Sequence, residues 1–161
     1  KLFEKSFIEN LRIFIPTIEQ VFITSDNGIE IRDKNFDRDV PLNQYGEGVN
    51  KLFRILILLT LHKGKTILID EIDAGIHYSR FKRFWSSIIN IAIKDNTQVI
   101  ATTHNEECIN YFQEVIEDLG PENAAQKNSR VVQMKQANDL RISCYEYESF
   151  KTAIEDSFEL R

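Results

Sequence analysis

Thr66-Ile67-Leu68-Ile69-Asp70-Glu71-Ile72-Asp73 and Gln98-Val99-Ile100-Ala101-Thr102-Thr103-His104-Asn105 share one form: a short apolar run that ends on polar, chemically active side chains. Short runs of apolar and β-branched residues predict strands over 66–70 and 98–102, covered on both faces. Between them, residues 78–95 place Phe81, Phe84, Trp85, Ile88 and Ala92 at helical spacing. Strand, helix, strand in that order predicts a parallel pair in an α/β fold. The carboxyl ends of such strands form the ligand-binding edge. Asp70-Glu71 stands at one of these ends and His104 at the other.

Upstream, Val49 to His62 is apolar nearly all round, which predicts a buried helix. Leu2, Phe3, Phe7, Leu11 and Phe14 recur at helical spacing and stop before Pro16. Ile18–Thr24 and Ile29–Arg32 flank Asp26-Asn27-Gly28, a hairpin signal expected to form a type I′ turn. The charged residues 33–39 read as a loop ended by Pro41. Downstream, a helix is expected from about Glu106 to Leu119, stopped by Gly120-Pro121. An antiparallel pair over 131–134 and 140–147 follows, then a closing helix with Phe150, Ile154 and Phe158.

A chain of 161 residues, 42% hydrophobic and 28% charged, is long enough for one domain with a core. Cys108 and Cys144 form no metal spacing and no disulfide framework, which fits a reducing compartment. The net charge of -5 excludes a chain that is basic throughout, as a nucleic-acid clamp would be. The longest apolar run, Ile55 to Leu59, is too short to span a bilayer, and no signal or lipidation motif is present. A cytoplasmic protein without membrane attachment is expected. The chain enters a helical pattern directly from Lys1, so the expectation is a piece of something larger.

Each chemical group has an ordinary alternative. An apolar strand ending in Asp-Glu builds a Walker B motif, where Asp70 would hold Mg²⁺ and Glu71 would orient or deprotonate water. The same acids also suit a helix first turn, where the macrodipole favours them. His104 could reach a phosphate bound beside them, or could be a surface residue next to Asn105 as a helix N-cap. Tyr45-Gly46-Glu47-Gly48 precedes the buried helix, so its backbone amides could meet phosphate, or it could be a flexible turn after Pro41.

Taken in order, Gly46-Glu47-Gly48, Ile69-Asp70-Glu71-Ile72-Asp73-Ala74-Gly75-Ile76-His77 and Thr102-Thr103-His104 resemble the C-terminal lobe of an ABC-type P-loop ATPase. The likeness is to the AAA-labelled members related to the OLD, RecF and SMC families, and it covers nearly the whole chain. The tail residues 147–150 and 159–161 resemble it too. The resemblance implies a mainly parallel sheet flanked by helices, with an N-terminal helix and hairpin and a C-terminal β pair plus helix. It divides one domain, 1–161, into a join (1–40), a core (41–120) and a C-terminal part (121–161).

The resemblance also implies ATP and Mg²⁺ as cofactors. By position, Asp70 is the metal ligand, Glu71 the catalytic base and His104 the switch histidine. Gly46, Glu47 and Gly48 match the signature that closes over ATP held by another subunit, with Gln44 where a serine is usual. Ala74, Gly75, Ile76 and His77 match the D-loop. The implied partners are a second copy in a head-to-tail homodimer, a missing N-terminal lobe carrying Walker A, and DNA or a nuclease or toxin. The process implied is DNA handling or anti-phage defence.

Gly64-Lys65-Thr66 imitates the end of a Walker A motif. It leads into a strand, however, whereas a phosphate loop leads into a helix. Gly64 is better explained as a helix C-cap flanked by Lys63 and Lys65. This chain alone is therefore expected to be inactive. Three alternatives stand beside this reading. The first is a metal-dependent phosphohydrolase or nuclease using Asp70, Glu71, Asp73 and His77. The second is a non-catalytic head that dimerises on ATP. The third is a helicase-type motor.

Overall fold

Apolar residues at helical spacing make the first framework of the protein. In the computed structural model, which describes residues 5–136 and 140–155, α1 (Lys5–Phe14) buries Phe7, Leu11 and Phe14 on one face. α2 (Glu47–Leu61) buries Val49, Leu52, Phe53, Ile55, Leu56 and Leu59. α3 (Phe81–Lys94), entered through a 3₁₀ turn over Tyr78–Arg80, buries Phe81, Phe84, Trp85, Ile88, Ile89 and Ile91. These faces meet in one core, with Phe7 edge-on to Phe53 at 5.2 Å and Phe14 edge-on to Phe84 at 6.4 Å. α2 is less enclosed than its composition predicts, since Leu58 and Leu61 are exposed. The expected helical positions Leu2 and Phe3 lie outside the described residues, as do Phe158 and the tail 159–161.

β1 (Ile18–Ile23), β2 (Ile29–Asp33) and β3 (Val40–Pro41) form an antiparallel sheet in that order. The hairpin between β1 and β2 is not the type I′ turn that Asn-Gly suggests. Asn27 alone takes positive φ (63°), while Gly28 does not. Asn27 N–H donates to Thr24 C=O at 3.1 Å and Thr24 N–H to Gly28 C=O at 3.0 Å, which closes a three-residue loop over Ser25, Asp26 and Asn27. Asn tolerates the left-handed region, so it ends the turn and Gly28 rejoins the strand. β3 was hidden in sequence because it is two residues long and contains a proline, which an edge strand accepts.

β4 (Thr66–Ile69) and β5 (Gln98–Ala101) pair in parallel, in register Thr66↔Gln98 to Ile69↔Ala101. Gly64, at φ +69°, makes the turn between α2 and β4, and Lys63 pairs with Asp95 at 3.2 Å. The expectation that both faces are covered fails. Among the described residues, Thr66, Leu68, Gln98 and Ile100 are exposed along one face, Leu68 at 74% and Ile100 at 50%. Parallel pairing is confined to these two strands among the described residues.

The chain separates into two compact units at Thr102/Thr103. Everything above belongs to the first. In the second, α4 (Glu106–Asp118), α5 (Ala124–Asn128), β6 (Arg130–Gln136), β7 (Leu140–Glu146) and α6 (Tyr147–Glu155) follow in order. β6 and β7 are antiparallel, from Arg130↔Glu146 to Gln136↔Leu140. The core of this unit gathers Cys108, Val115, Ile116, Ala125, Tyr147 and Phe150. α5 was not expected; Asn123 caps it by accepting from Ala125 N–H at 2.8 Å. No described helix is long and apolar enough to cross a membrane.

Candidate functional site

Asp70 and Glu71 follow β4 directly, and both are exposed. Glu71 has φ +45°, a left-handed conformation costing an L-residue about 1–2 kcal/mol. Its neighbour Ile72 is fully buried and anchors the chain beyond it. Two side chains hold the peptide groups on either side of Glu71. Glu71 N–H donates to Thr102 Oγ1 at 2.9 Å, and Lys51 Nζ donates to Glu71 C=O, which also accepts Ala74 N–H at 3.0 Å. The Thr102 hydroxyl in turn donates to Asp70 Oδ1. The strain at Glu71 is thus held by specific partners, as at many functional turns.

Gly46 begins α2 with φ 84° and ψ 168°, a region essentially reserved for glycine. Its side is open, since an added Cβ would meet nothing within 4 Å. No side chain among the described residues caps this helix start, unlike α4, where Asn105 Oδ1 accepts Cys108 N–H at 3.2 Å. The uncapped amides and the macrodipole make the start of α2 attractive to an anion. Asn50 Nδ2 ties the turn from inside, donating to Gly46 C=O at 2.7 Å and Leu42 C=O at 3.1 Å. Tyr45 donates to the buried Asp33 at 3.1 Å. Burial and then the Asp33 charge push ionisation of that phenol well above the ordinary tyrosine range.

The loop that starts α2 also packs on the loop that follows Asp70-Glu71. A Cβ on Gly48 would approach Gly75 C=O to 3.0 Å, and one on Gly75, itself at φ +77°, would approach Glu47 Cγ to 2.9 Å. Of the residues matched to the D-loop, Ile76 is buried, whereas Ala74, Gly75 and His77 are exposed. His77 Nδ1 lies 2.9 Å from Ser79 Oγ and caps the 3₁₀ turn. Gln44 sits exposed in the short 3₁₀ helix before Gly46.

The first unit therefore brings together Gly46-Glu47-Gly48, Asp70-Glu71 and Ala74 to His77. His104 belongs to the second unit and is exposed; its neighbour Asn105 is the N-cap that the sequence suggested. Among the described residues, no three of His, Cys, Asp and Glu converge to hold a metal ion. Lys51 escaped the sequence reading, and Thr102 entered it only as part of Thr102-Thr103-His104, with no role of its own. Thr102 could have been found by pairing the strand ends, which sets it opposite Asp70. Lys51 stands one helical turn beyond Glu47.

Comparison with known proteins bears on the family and the fold. A family model described as "AAA domain, putative AbiEii toxin, Type IV TA system" matches residues 4–110. A protein named ATP/GTP phosphatase from Helicobacter pylori is 29% identical over 118 residues, covering 71% of this chain and 32% of the relative. The chain thus spans about a third of the length of that relative. Among solved structures, an SMC ATPase from work on ATP-driven dimerization and DNA-stimulated activation superposes with TM-score 0.60 at 14% identity, over 94% of this chain and 88% of the other. The Smc head domain of Pyrococcus furiosus, bound to the C-terminal domain of ScpA, also gives 0.60 at 14%, over 94% and 36%. The fold is that of an SMC-type ATPase head.

Proposed function

The chain belongs to the family described as "AAA domain, putative AbiEii toxin, Type IV TA system", and on that premise we propose that it is the C-terminal lobe of an ABC-type ATPase that binds and hydrolyses ATP. One observation carries the reading. Asp70 and Glu71 stand exposed at the carboxyl end of a parallel strand, with Glu71 bonded to the helix that Gly46-Glu47-Gly48 begins.

Asp70 fits a Mg²⁺ ligand. One of its oxygens accepts from Thr102, and the other has no hydrogen-bond partner among the described residues. A single carboxylate suits Mg²⁺, which keeps several waters and takes further oxygens from phosphates. When bound, the ion neutralises charge on the transferred phosphoryl group. Glu71 accepts the proton of the attacking water. The amides of Gly46, Glu47 and Gly48 bind phosphate of ATP held by a second copy, in a head-to-tail homodimer. Ala74 to His77 cross near its two-fold axis. His104 donates to the γ-phosphate.

The phosphate loop belongs to a further lobe outside these residues, because Gly64-Lys65-Thr66 enters β4 rather than a helix. The open Leu68–Ile100 face supports such a lobe, since parallel sheets are covered on both faces. Without that lobe the chain lacks most donors to the phosphates and is inactive alone. The work served is DNA handling or anti-phage defence in the cytoplasm, with DNA or a nuclease or toxin as partner. The family's printed toxin association and the DNA stimulation named for the SMC relative support it.

The test mixes two variants of the complete protein. Glu71→Gln should bind ATP without hydrolysing it. Gly46→Asp adds charge where phosphate should approach, and Gly46→Ala supplies the same backbone strain without charge. A heterodimer of Glu71→Gln with Gly46→Asp has one intact composite site, so part of the activity should return. Two inactive variants that stay inactive despite demonstrated subunit exchange would rule the shared sites out.

A further inference from the structure

In a regular parallel ladder, a residue that donates to one strand position accepts from the position two further on. Thr102 N–H donates to Ile69 C=O at 3.0 Å, so its carbonyl should accept from Glu71 N–H. It accepts from Ile72 N–H instead, at 2.9 Å. Glu71 is the extra residue, and its φ of +45° is the local reversal that admits it. The displaced amide of Glu71 is not left without a partner. Thr102 Oγ1 takes it at 2.9 Å, in place of the Thr102 carbonyl.

The polarity of that hydroxyl is then fixed. A carboxylate only accepts, so the Thr102 O–H proton points to Asp70 Oδ1 while the oxygen accepts Glu71 N–H. One side chain therefore sets the rotamer of Asp70 and the backbone of Glu71 together. Resting on the roles given above to Asp70 and Glu71, we propose that Thr102 is a positioning residue for both, coupling metal binding and proton acceptance through one hydroxyl. Its contribution is to aim the carboxylates rather than to hold the fold, because Thr102 itself is exposed.

Thr102→Val keeps the shape of the side chain and removes both bonds, Thr102→Ala removes them with less bulk, and Thr102→Ser keeps them. In the complete protein, Val and Ala should each lower kcat by about tenfold or more, on the scale of losing a partner that orients a metal ligand. The KM for ATP should stay within roughly threefold, since nucleotide contacts made elsewhere are intact. Half-saturating Mg²⁺, read from equilibrium binding of a non-hydrolysable ATP analogue as well as from turnover, should rise several-fold, and Ser should restore both quantities to within about threefold. Glu71→Gln is measured alongside. If it abolishes hydrolysis while Val and Ala leave kcat and the Mg²⁺ requirement at parental values, Thr102 is not a positioning residue although the ATPase reading stands. If Glu71→Gln is itself without effect, the ATPase assignment fails and this inference with it. A loss in Val and Ala that Ser does not rescue would make Thr102 a structural residue only.

Discussion

Replacing Leu68 and Ile100 together by alanine, in the complete protein, measures whether the open face of β4 and β5 is covered there. Fully burying a leucine or isoleucine side chain contributes about 1.5–3 kcal/mol. Leu68 is 74% exposed and Ile100 50% exposed, so only a quarter of the first contribution and half of the second are realised within these residues. Were the face to stay open, the double substitution would cost about 1–2 kcal/mol. Covered by another lobe, each side chain becomes a core position, where truncation costs about 2–5 kcal/mol, or about 4–10 for both. Hydrogen exchange of the β4 and β5 amides reads this difference locally, since each 1.4 kcal/mol changes the opening equilibrium about tenfold. A loss of about 4 kcal/mol or more is expected. A loss of about 2 kcal/mol or less would refute the argument for a covering lobe.

Two further substitutions examine separate parts of the molecule. His104→Ala in the complete protein should slow ATP turnover by about tenfold or more, on the scale of one transition-state donor, with ADP affinity unchanged; equal losses with both nucleotides would contradict a γ-phosphate contact. Phe84→Ala removes a fully buried ring packed edge-on against Phe14, and should cost about 3–5 kcal/mol in denaturant unfolding; a cost of about 1 kcal/mol or less would contradict a core centred on this ring.

The helices were legible because their apolar residues recur at a helical period, and the strands because short β-branched runs end abruptly. Asp70, Glu71 and the glycines at the start of α2 were legible as residue types in sequence order. What joins them was not. The bond from Thr102 depends on the register of two strands separated by a helix, and the reversal at Glu71 depends on a one-residue slip in that register. No local pattern encodes either. The contact of Lys51 with the Glu71 carbonyl is equally tertiary. The exposed face of Leu68 and Ile100 misled for another reason: apolar composition records the need for burial, and not whether the covering atoms lie in the same 161 residues. The hairpin shows a conflict between two local rules, where Asn-Gly favours a two-residue turn but the strands close around three residues, Ser25 to Asn27.

The close seat of Gly48 against the Gly75 carbonyl, and of Glu47 Cγ over Gly75, has an evolutionary corollary. Positions 47, 48 and 75 should not drift independently among natural variants. A larger residue at 75 requires both tolerance of positive φ and a shorter or differently placed side chain at 47, so such changes should arrive in pairs. Position 48 can gain a side chain only where the loop around 75 has been rebuilt. Lineages that diverge at one loop are therefore expected to carry a compensating change in the other, although the two lie 27 positions apart in the chain.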